Sequence, residues 1–116
     1  MLSRENRLRS PRDFRRAYDS GRTYNAPLLT ARILKRNGRG PVRVGIVVSM
    51  KLSKKSVERN AVRRRLREAL RRAGITALLG VDIIVTARPA ARNATFKALV
   101  DECDNCVRRL ATITHR

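Results

Sequence analysis

The sequence predicts an α+β fold in which one β-sheet carries helices on its surface. Two observations lead to this expectation. Apolar residues recur with helical spacing in three segments, and short apolar or β-branched runs bounded by Gly, Pro and Asn lie between these segments. Because each helix has one apolar stripe to bury, a sheet face is its natural partner. At 116 residues, the chain is expected to form a single domain, 1–116.

The first two elements are predicted from signals at their ends. A helix is expected to begin at Ser10-Pro11, with Ser10 as the N-cap and Pro11 at the first helical position, and to end near Gly21. A short possible strand follows near residues 22–25.

Two longer strands are expected next. Apolar residues alternate through LLTARIL within 27–36, and the β-branched run VRVGIVVSM occupies 42–50. The sequence NGRGP between them, residues 37–41, is typical of a turn. The two strands are therefore predicted to pair as a hairpin.

The second half of the chain is predicted to form a helix, a strand and a final helix. A basic helix is expected over about 56–73, with Gly74 closing it, and the almost wholly apolar VDIIVTA of 81–87 is typical of a central strand. The final helix is expected from about Asn93. Its apolar stripe is Phe96, Leu99, Val100, Cys103, Val107 and Leu110.

The segment 51–72 carries the strongest functional signal, with ten Lys or Arg and two Glu among its 22 residues. As a helix it has an apolar stripe that can enter a core, formed by Val62, Leu66, Ala69, Leu70 and Ala73. Its polar strip, which can meet phosphate, is formed by Asn60, Arg63, Arg64, Arg67 and Arg71. A merely solvated face is less favoured, because such faces normally intersperse Glu with the basic residues.

The formal charge of +19 at pH 7 predicts a polyanionic partner. Nucleic acid fits, because each neutralised phosphate releases a condensed counterion. An anionic membrane is the competing partner, but no apolar run approaches the ~18 residues of a spanning helix. The start of the sequence also lacks the apolar core of a signal peptide. We expect a cytoplasmic protein without a membrane partner.

Signals for catalysis or metal binding are weak. Cys103 and Cys106 form a C-x-x-C pair, but Cys103 lies on an apolar helical stripe. With His115 as the single histidine, one chain cannot complete a four-ligand zinc site, so structural thiols are expected. Three carboxylates of the final helix could hold Mg²⁺, although a solvated helix face is the simpler explanation: Asp101, Glu102 and Asp104. We predict no catalytic residue and no metal site.

Phe14 and Tyr18 share one face of the first predicted helix. Core packing would explain them, and so would a cleft in which unpaired bases stack on the two rings. In a cleft, Arg15, Arg16 and Arg22 would supply charge nearby. Single-stranded nucleic acid is the natural occupant of such a site.

Four blocks of the sequence resemble the protein component of bacterial ribonuclease P. They are NRLRSPRDFRRAYDSG, VRVGIVVSMK, ERNAVRRRLREAL and DIIVTARPA, in this order, and the resemblance extends over almost the whole length of the chain. The Arg-Asn pair at Arg59-Asn60, leading into a basic amphipathic helix, is the signature of this family.

The resemblance implies an αβββαβα domain of the ribosomal protein S5 domain 2-like class. The sheet would be mostly antiparallel, with a left-handed β-α-β crossover against the usual right-handed rule. It also implies the protein subunit of an endoribonuclease in which a catalytic RNA, with Mg²⁺, removes the 5′ leader of precursor tRNA. The catalytic RNA and the precursor tRNA are the implied partners, and self-association stays open.

Carried over by position, the resemblance assigns residues to two surfaces. The residues implied to face the catalytic RNA are Lys51, Lys54, Lys55, Arg59, Asn60, Arg63, Arg64, Arg67 and Arg71. The residues implied to line the leader-binding cleft are Phe14, Tyr18 and Arg88.

Three positions depart from the family pattern. Ala61 stands where a second arginine commonly follows Arg-Asn, and Arg65 is expected to take up part of that contact. Met50 replaces a commonly basic residue, and Arg32 replaces a frequent aromatic residue of the cleft.

Three other functions stay open from the residues themselves. A ribosomal or assembly protein would share the charge pattern and bind rRNA without affecting tRNA maturation. An autonomous nuclease would cleave RNA without a partner. A DNA-binding helix is the weakest, because no second helix precedes Arg59 at helix-turn-helix spacing.

Overall fold

The computed structural model describes residues 4–36 and 40–114 and confirms the α+β class. The main elements are α1 (Pro11–Ser20), β1 (Arg22–Asn25), β2 (Leu29–Lys35), β3 (Arg43–Val47), α2 (Ser56–Arg72), β4 (Val81–Ala87) and α3 (Phe96–Thr114). Three short 3-10 turns are Arg4–Asn6, Ile75–Ala77 and Pro89–Asn93. The order of the main elements is the αβββαβα implied by the resemblance.

The four strands form one sheet in the order β1-β2-β4-β3. The pairings of β1 with β2 and of β2 with β4 are antiparallel, whereas β3 and β4 are parallel. The predicted hairpin between β2 and β3 is therefore wrong, because β4 lies between them. Six of the seven β4 residues are buried, so this strand takes a central place that a hairpin would have denied it. Residues 37–39 of the predicted turn lie outside the described residues.

The parallel strands β3 and β4 are connected through α2, which forms the β-α-β crossover that the resemblance implies. Its left-handedness stays a prediction. This connection places α2 beside the edge strand β3, which also pairs with Arg7 of the segment before α1.

Alternation along the strands divides the apolar residues between two clusters. In β4, Ile83 and Val85 join the main cluster under α2 and α3, whereas Ile84 joins a smaller cluster under α1. Leu8 and Ala17 complete the smaller cluster. Helix α1 thus covers one face of the sheet, and α2 and α3 cover the other.

The helix ends agree with the predicted signals except at the start of α3. Gly74 follows α2 with a φ of 82°, a left-handed conformation that glycine adopts without strain. A 3-10 turn occupies Pro89–Asn93, and α3 begins only at Phe96, where Thr95 Oγ1 accepts the Ala98 N–H at 3.1 Å. None of the helices within the described ranges is long and apolar enough to span a membrane.

Candidate nucleic-acid interface

The predicted stripes of α2 are present in the structure. Val62, Leu66 and Leu70 are buried in the main core. On the opposite side, Asn60 and Arg64 are exposed, and Asn60 Oδ1 accepts a hydrogen bond from Nη1 of Arg63 at 2.6 Å. The helix therefore presents a cationic surface whose arginines are held by core packing below them.

The loop before α2 is fixed against the first turn of this helix. Nη1 of Arg59 donates to the carbonyl oxygen of Ser53 at 3.0 Å, and the buried Ser53 hydroxyl accepts the Lys55 N–H at 3.1 Å. Lys51, Lys54 and Lys55 are exposed. We call these three residues the lysine loop. It extends the cationic surface beyond the N-terminus of α2.

The C-terminal part of α2 is different, because its arginines contact other protein groups. Arg71 binds Glu68 through both Nε and Nη2, and these hydrogen bonds lower the pKa of the Glu68 carboxyl to about 2. Arg72 lies 5.0 Å from the centroid of the Phe96 ring. Arg71 is thus partly neutralised, unlike the arginines nearer the start of the helix.

Arg65 contacts another part of the protein. Its Nη2 donates to the carbonyl oxygen of Ala94 at 2.7 Å, beside the start of α3. Arg65 therefore connects α2 to the segment before α3, and its part in the RNA contact at Ala61 stays a prediction.

A cleft of about 200 Å³ opens at the edge of β3. The segment before α1 pairs with this edge through an Arg7–Val44 bridge, in which the Leu8 N–H donates to Val44 O at 2.9 Å, and then turns away into α1. We call this opening the edge cleft. Its lining residues are Arg7, Leu8, Arg9, Phe14, Val44, Gly45, Ile46 and Arg67.

The edge cleft brings together one residue from each of the two predicted surfaces. Phe14 comes from α1 on one face of the sheet, and Arg67 comes from α2 on the other. Gly45 allows the Phe14 ring to lie against β3, since a Cβ at this position would be only 2.7 Å from Cε1 of Phe14. Phe14 is half-buried and Tyr18, one turn later, is 44% exposed. Phe14 therefore packs on the α1 cluster and also lines the edge cleft, whereas Tyr18 is not among the residues that line it. Base stacking on either ring stays a prediction.

Arg88 does not line the edge cleft. Its Nη1 donates to the carbonyl oxygen of Ala26 at 3.3 Å, and its N–H donates to Leu28 O at 2.9 Å. Arg88 therefore lies at the turn between β1 and β2. The structure brings Phe14 and Arg67 together and leaves Arg88 apart from them.

The sequence analysis did not predict two polar clusters that the structure contains. Arg43 binds the buried Asp82 through two hydrogen bonds of 2.8 Å and reaches Asp13 of α1 at 3.0 Å. Hydrogen bonding to Asp82 raises the pKa of Arg43. In the other cluster, Arg32 donates to the end of α1. The available signal was a charged residue inside an apolar strand pattern, as in VDIIVTA.

The cysteines are core residues, as predicted. Cys103 and Cys106 are fully buried, and burial raises the pKa of each thiol to about 12. Of the α3 carboxylates, Glu102 accepts the Leu28 N–H at 2.8 Å, and Asp101 pairs with Lys97. Across residues 4–36 and 40–114, no three His, Cys, Asp or Glu side chains form a group suited to a metal ion. His115 lies outside the described residues.

Comparisons with known proteins agree on one family. The family model described as Ribonuclease P matches residues 2–111. A ribonuclease P protein component from Pseudanabaena sp. is 35% identical over 115 residues, covering 99% of this chain and 98% of that protein. The RNase P protein of Staphylococcus aureus is 27% identical in sequence and superposes with a TM-score of 0.77, covering 94% of this chain and 97% of its own.

A second Staphylococcus aureus structure matches to a similar extent. It is an RNase P protein mutant with defective mRNA degradation activity, 29% identical, with a TM-score of 0.76 over 92% of this chain and 88% of its own.

Proposed function

The chain belongs to the Ribonuclease P protein family, and from this premise we propose how it serves as the RNA-binding subunit of the ribonuclease P holoenzyme. In this proposal it assists a catalytic RNA in removing the 5′ leader of precursor tRNA. The protein binds the leader and stabilises the complex of the two RNAs, and the bond is cleaved by the RNA subunit. The cytoplasmic location expected from the sequence is part of the same proposal.

The observation that carries the proposal is the edge cleft, where an aromatic ring and a cation from different helices meet. A single-stranded leader offers unpaired bases, which stack on aromatic side chains, and phosphates, which arginine binds through its planar fork. Phe14 would receive a base and Arg67 a neighbouring phosphate. An unpaired strand can use both at once, whereas a paired base is not available for stacking.

The catalytic RNA would bind the lysine loop and the polar strip of α2 other than Arg67, which faces the edge cleft. These residues hold like charges close together, and in the isolated protein that repulsion is unfavourable. Phosphates relieve it and release counterions, so binding is favourable and depends on salt. We assign Arg59 and Asn60 a double role: Arg59 fixes the lysine loop through Ser53, Asn60 orients Arg63, and both lie on the surface that meets RNA.

Mg²⁺ belongs to the RNA in this proposal. The described residues of the protein do not fit a Mg²⁺ site. On α3, the Glu102 carboxylate accepts the Leu28 N–H and the Asp101 carboxylate pairs with Lys97, so the two do not converge on one ion. The ion supplies charge neutralisation at phosphates when it is bound to the catalytic RNA. The protein residues contribute binding and orientation only.

Reconstitution with the cognate catalytic RNA tests the proposed function. At low Mg²⁺ we expect the protein to increase 5′ leader removal, with a smaller effect at high Mg²⁺, because both the protein and the ion reduce repulsion between the RNAs. Protein alone and catalytic RNA alone are measured in parallel, with precursor tRNA and an mRNA as substrates. Leader removal by the protein alone, or no increase on adding it, would contradict the proposal.

The stacking role of Phe14 is tested with matched aromatic variants. Phe14→Ala should weaken holoenzyme binding of leader-bearing tRNA by about 5- to 150-fold, the range for one stacked base, and leave mature tRNA binding unchanged. Phe96→Ala removes the only other phenylalanine, which lies on α3 outside the edge cleft, and serves as the control. An equal loss for both tRNAs would show that Phe14 acts on the fold and not on the leader.

A further inference from the structure

Arg32 occupies an unusual place for a charged residue. It lies in the middle of β2 and is paired in register with Ile84 of the neighbouring strand β4. Alternation points it to the face covered by α1, where Leu34 also packs. Arg32 therefore faces the helix that carries Phe14 and Tyr18.

The guanidinium of Arg32 binds the C-terminal end of α1. Nε donates to Ala17 O at 3.3 Å, and Nη2 donates to Gly21 O at 2.9 Å and also to Tyr18 O. Nη1 donates to Thr23 Oγ1 of β1 at 2.8 Å. Four of the five N–H donors of the side chain are thus used within the protein.

Two of these acceptors, the carbonyl oxygens of Ala17 and Tyr18, belong to the last turn of α1, and the third carbonyl is that of Gly21, the residue after the helix. The last carbonyls of a helix carry the negative end of the helix dipole. A planar cation that binds all three carbonyl oxygens fixes the helix end in position and orientation. At the other end of α1, Asp13 binds Arg43 at 3.0 Å. The helix is therefore held at both ends, with Phe14 and Tyr18 between the two attachments.

We propose that Arg32 is a positioning residue that holds the Phe14 and Tyr18 face of α1 at a set distance from the sheet, and thereby determines how strongly the holoenzyme prefers leader-bearing tRNA. The inference rests on the proposed function. It assigns Arg32 no direct contact with RNA, because four of its five N–H donors already bind groups of the protein.

The test compares Arg32→Lys and Arg32→Ala in the reconstituted holoenzyme. Affinity is measured for leader-bearing and mature tRNA, and the ratio of the two dissociation constants reports discrimination. We expect both variants to lower this ratio by about fivefold, because affinity falls with the fraction of molecules in which α1 is correctly placed. Lysine fails because a single ammonium cannot reproduce the fork. As the control, Arg108→Ala removes one exposed arginine of α3 and should leave the ratio of the two dissociation constants unchanged.

Two readouts separate positioning from other roles. In a Phe14→Ala background, Arg32→Ala should lower discrimination by less than it does in the wild type, since part of its effect acts through the Phe14 ring. If Arg32 contacted a leader phosphate, Arg32→Lys would retain discrimination and Arg32→Ala would lower the salt slope of leader binding by about one unit. Either result would overturn the proposal.

Hydrogen exchange provides a measurement on the protein alone. The Gly21 N–H, which donates to Ala17 O at 2.9 Å, should exchange faster in Arg32→Lys, whereas amides of β4 should keep their protection. Equal protection of the Gly21 N–H in the wild type and in Arg32→Lys would show that Arg32 does not hold the end of α1. If the wild-type holoenzyme shows no preference for leader-bearing tRNA, the proposed function fails. If that preference exists and depends on Phe14 but not on Arg32, only the positioning role fails.

Discussion

The buried carboxylate of Asp82 supports the contact between α1 and the sheet, and Asp82→Ala is expected to be strongly destabilising. The Asp82 side chain is 3% exposed and receives two hydrogen bonds of 2.8 Å from Arg43. Nε of Arg36 lies 3.5 Å from the same carboxylate. Removing Asp82 leaves two partly buried guanidinium groups beside each other, in a chain whose formal charge is already +19.

The magnitude follows from the burial of this ion pair. Breaking a buried pair by removing one partner costs about 3–5 kcal/mol. Arg43 would lose its bidentate carboxylate partner and keep Asp13 at 3.0 Å. For a domain near this length, about 1 kcal/mol shifts Tm by roughly 4 °C, so Asp82→Ala should lower Tm by roughly 12–20 °C. Asp82→Asn keeps a hydrogen-bond acceptor for Arg43 and should lower Tm by less than Asp82→Ala does.

Urea denaturation at pH 7 gives the free energy of unfolding for each variant. The matched control is Asp101→Ala, whose partner Lys97 is 85% exposed, and its expected change is within about 0.5 kcal/mol. The double variant Arg43→Met, Asp82→Leu replaces the pair by apolar side chains and should recover much of the loss. A loss of unfolding free energy below about 1 kcal/mol in Asp82→Ala would contradict this prediction, since the Arg43–Asp82 ion pair would then have no net effect on stability.

Three further predictions concern RNA binding, the thiols and pH. Arg63→Ala should lower the salt slope of catalytic RNA binding by about one unit, measured by titration at several salt concentrations, whereas Arg108→Ala should not. Cys103 and Cys106, each with a pKa of about 12, should resist iodoacetamide at pH 8 until urea unfolds the chain, and fast native labelling would contradict their burial. Burial raises the pKa of the Glu102 carboxyl above its ordinary value of 4.5. The contribution of Glu102 to the free energy of unfolding is therefore complete below pH 4.5 and is lost as pH rises through its pKa in the folded protein. The wild type should thus lose unfolding free energy relative to Glu102→Gln as pH increases, and parallel pH curves would argue against this.

Local patterns in the sequence predicted most of the elements. The Ser10-Pro11 start, the glycine after α2 and the apolar run 81–87 each identify an element from neighbouring residues alone, and the structure contains all of them. The start of α3 was predicted too early, because its capping residue is Thr95 and the preceding residues form a 3-10 turn. The stripes of α2 follow directly from helical geometry and needed no tertiary information.

Strand pairing could not be predicted in the same way. The hairpin prediction used the turn-like residues between β2 and β3, which report only on local conformation. The observed order depends on β4, which is distant in sequence and is apolar on both faces. A strand of this kind buries most apolar surface when it lies between two other strands. Burial of a whole strand outweighs the proximity of two neighbours along the chain.

Residue order alone was enough to predict the sign and location of the charge, the cationic face of α2 and the resemblance to one family, because these are properties of single segments. The shared cleft of Phe14 and Arg67, the separate place of Arg88 and the contact of Arg32 with the end of α1 became visible only in the folded chain. An arginine has the same local sequence signal whether its guanidinium faces solvent, a carboxylate or a helix end, and the packing of distant elements determines which of these it meets.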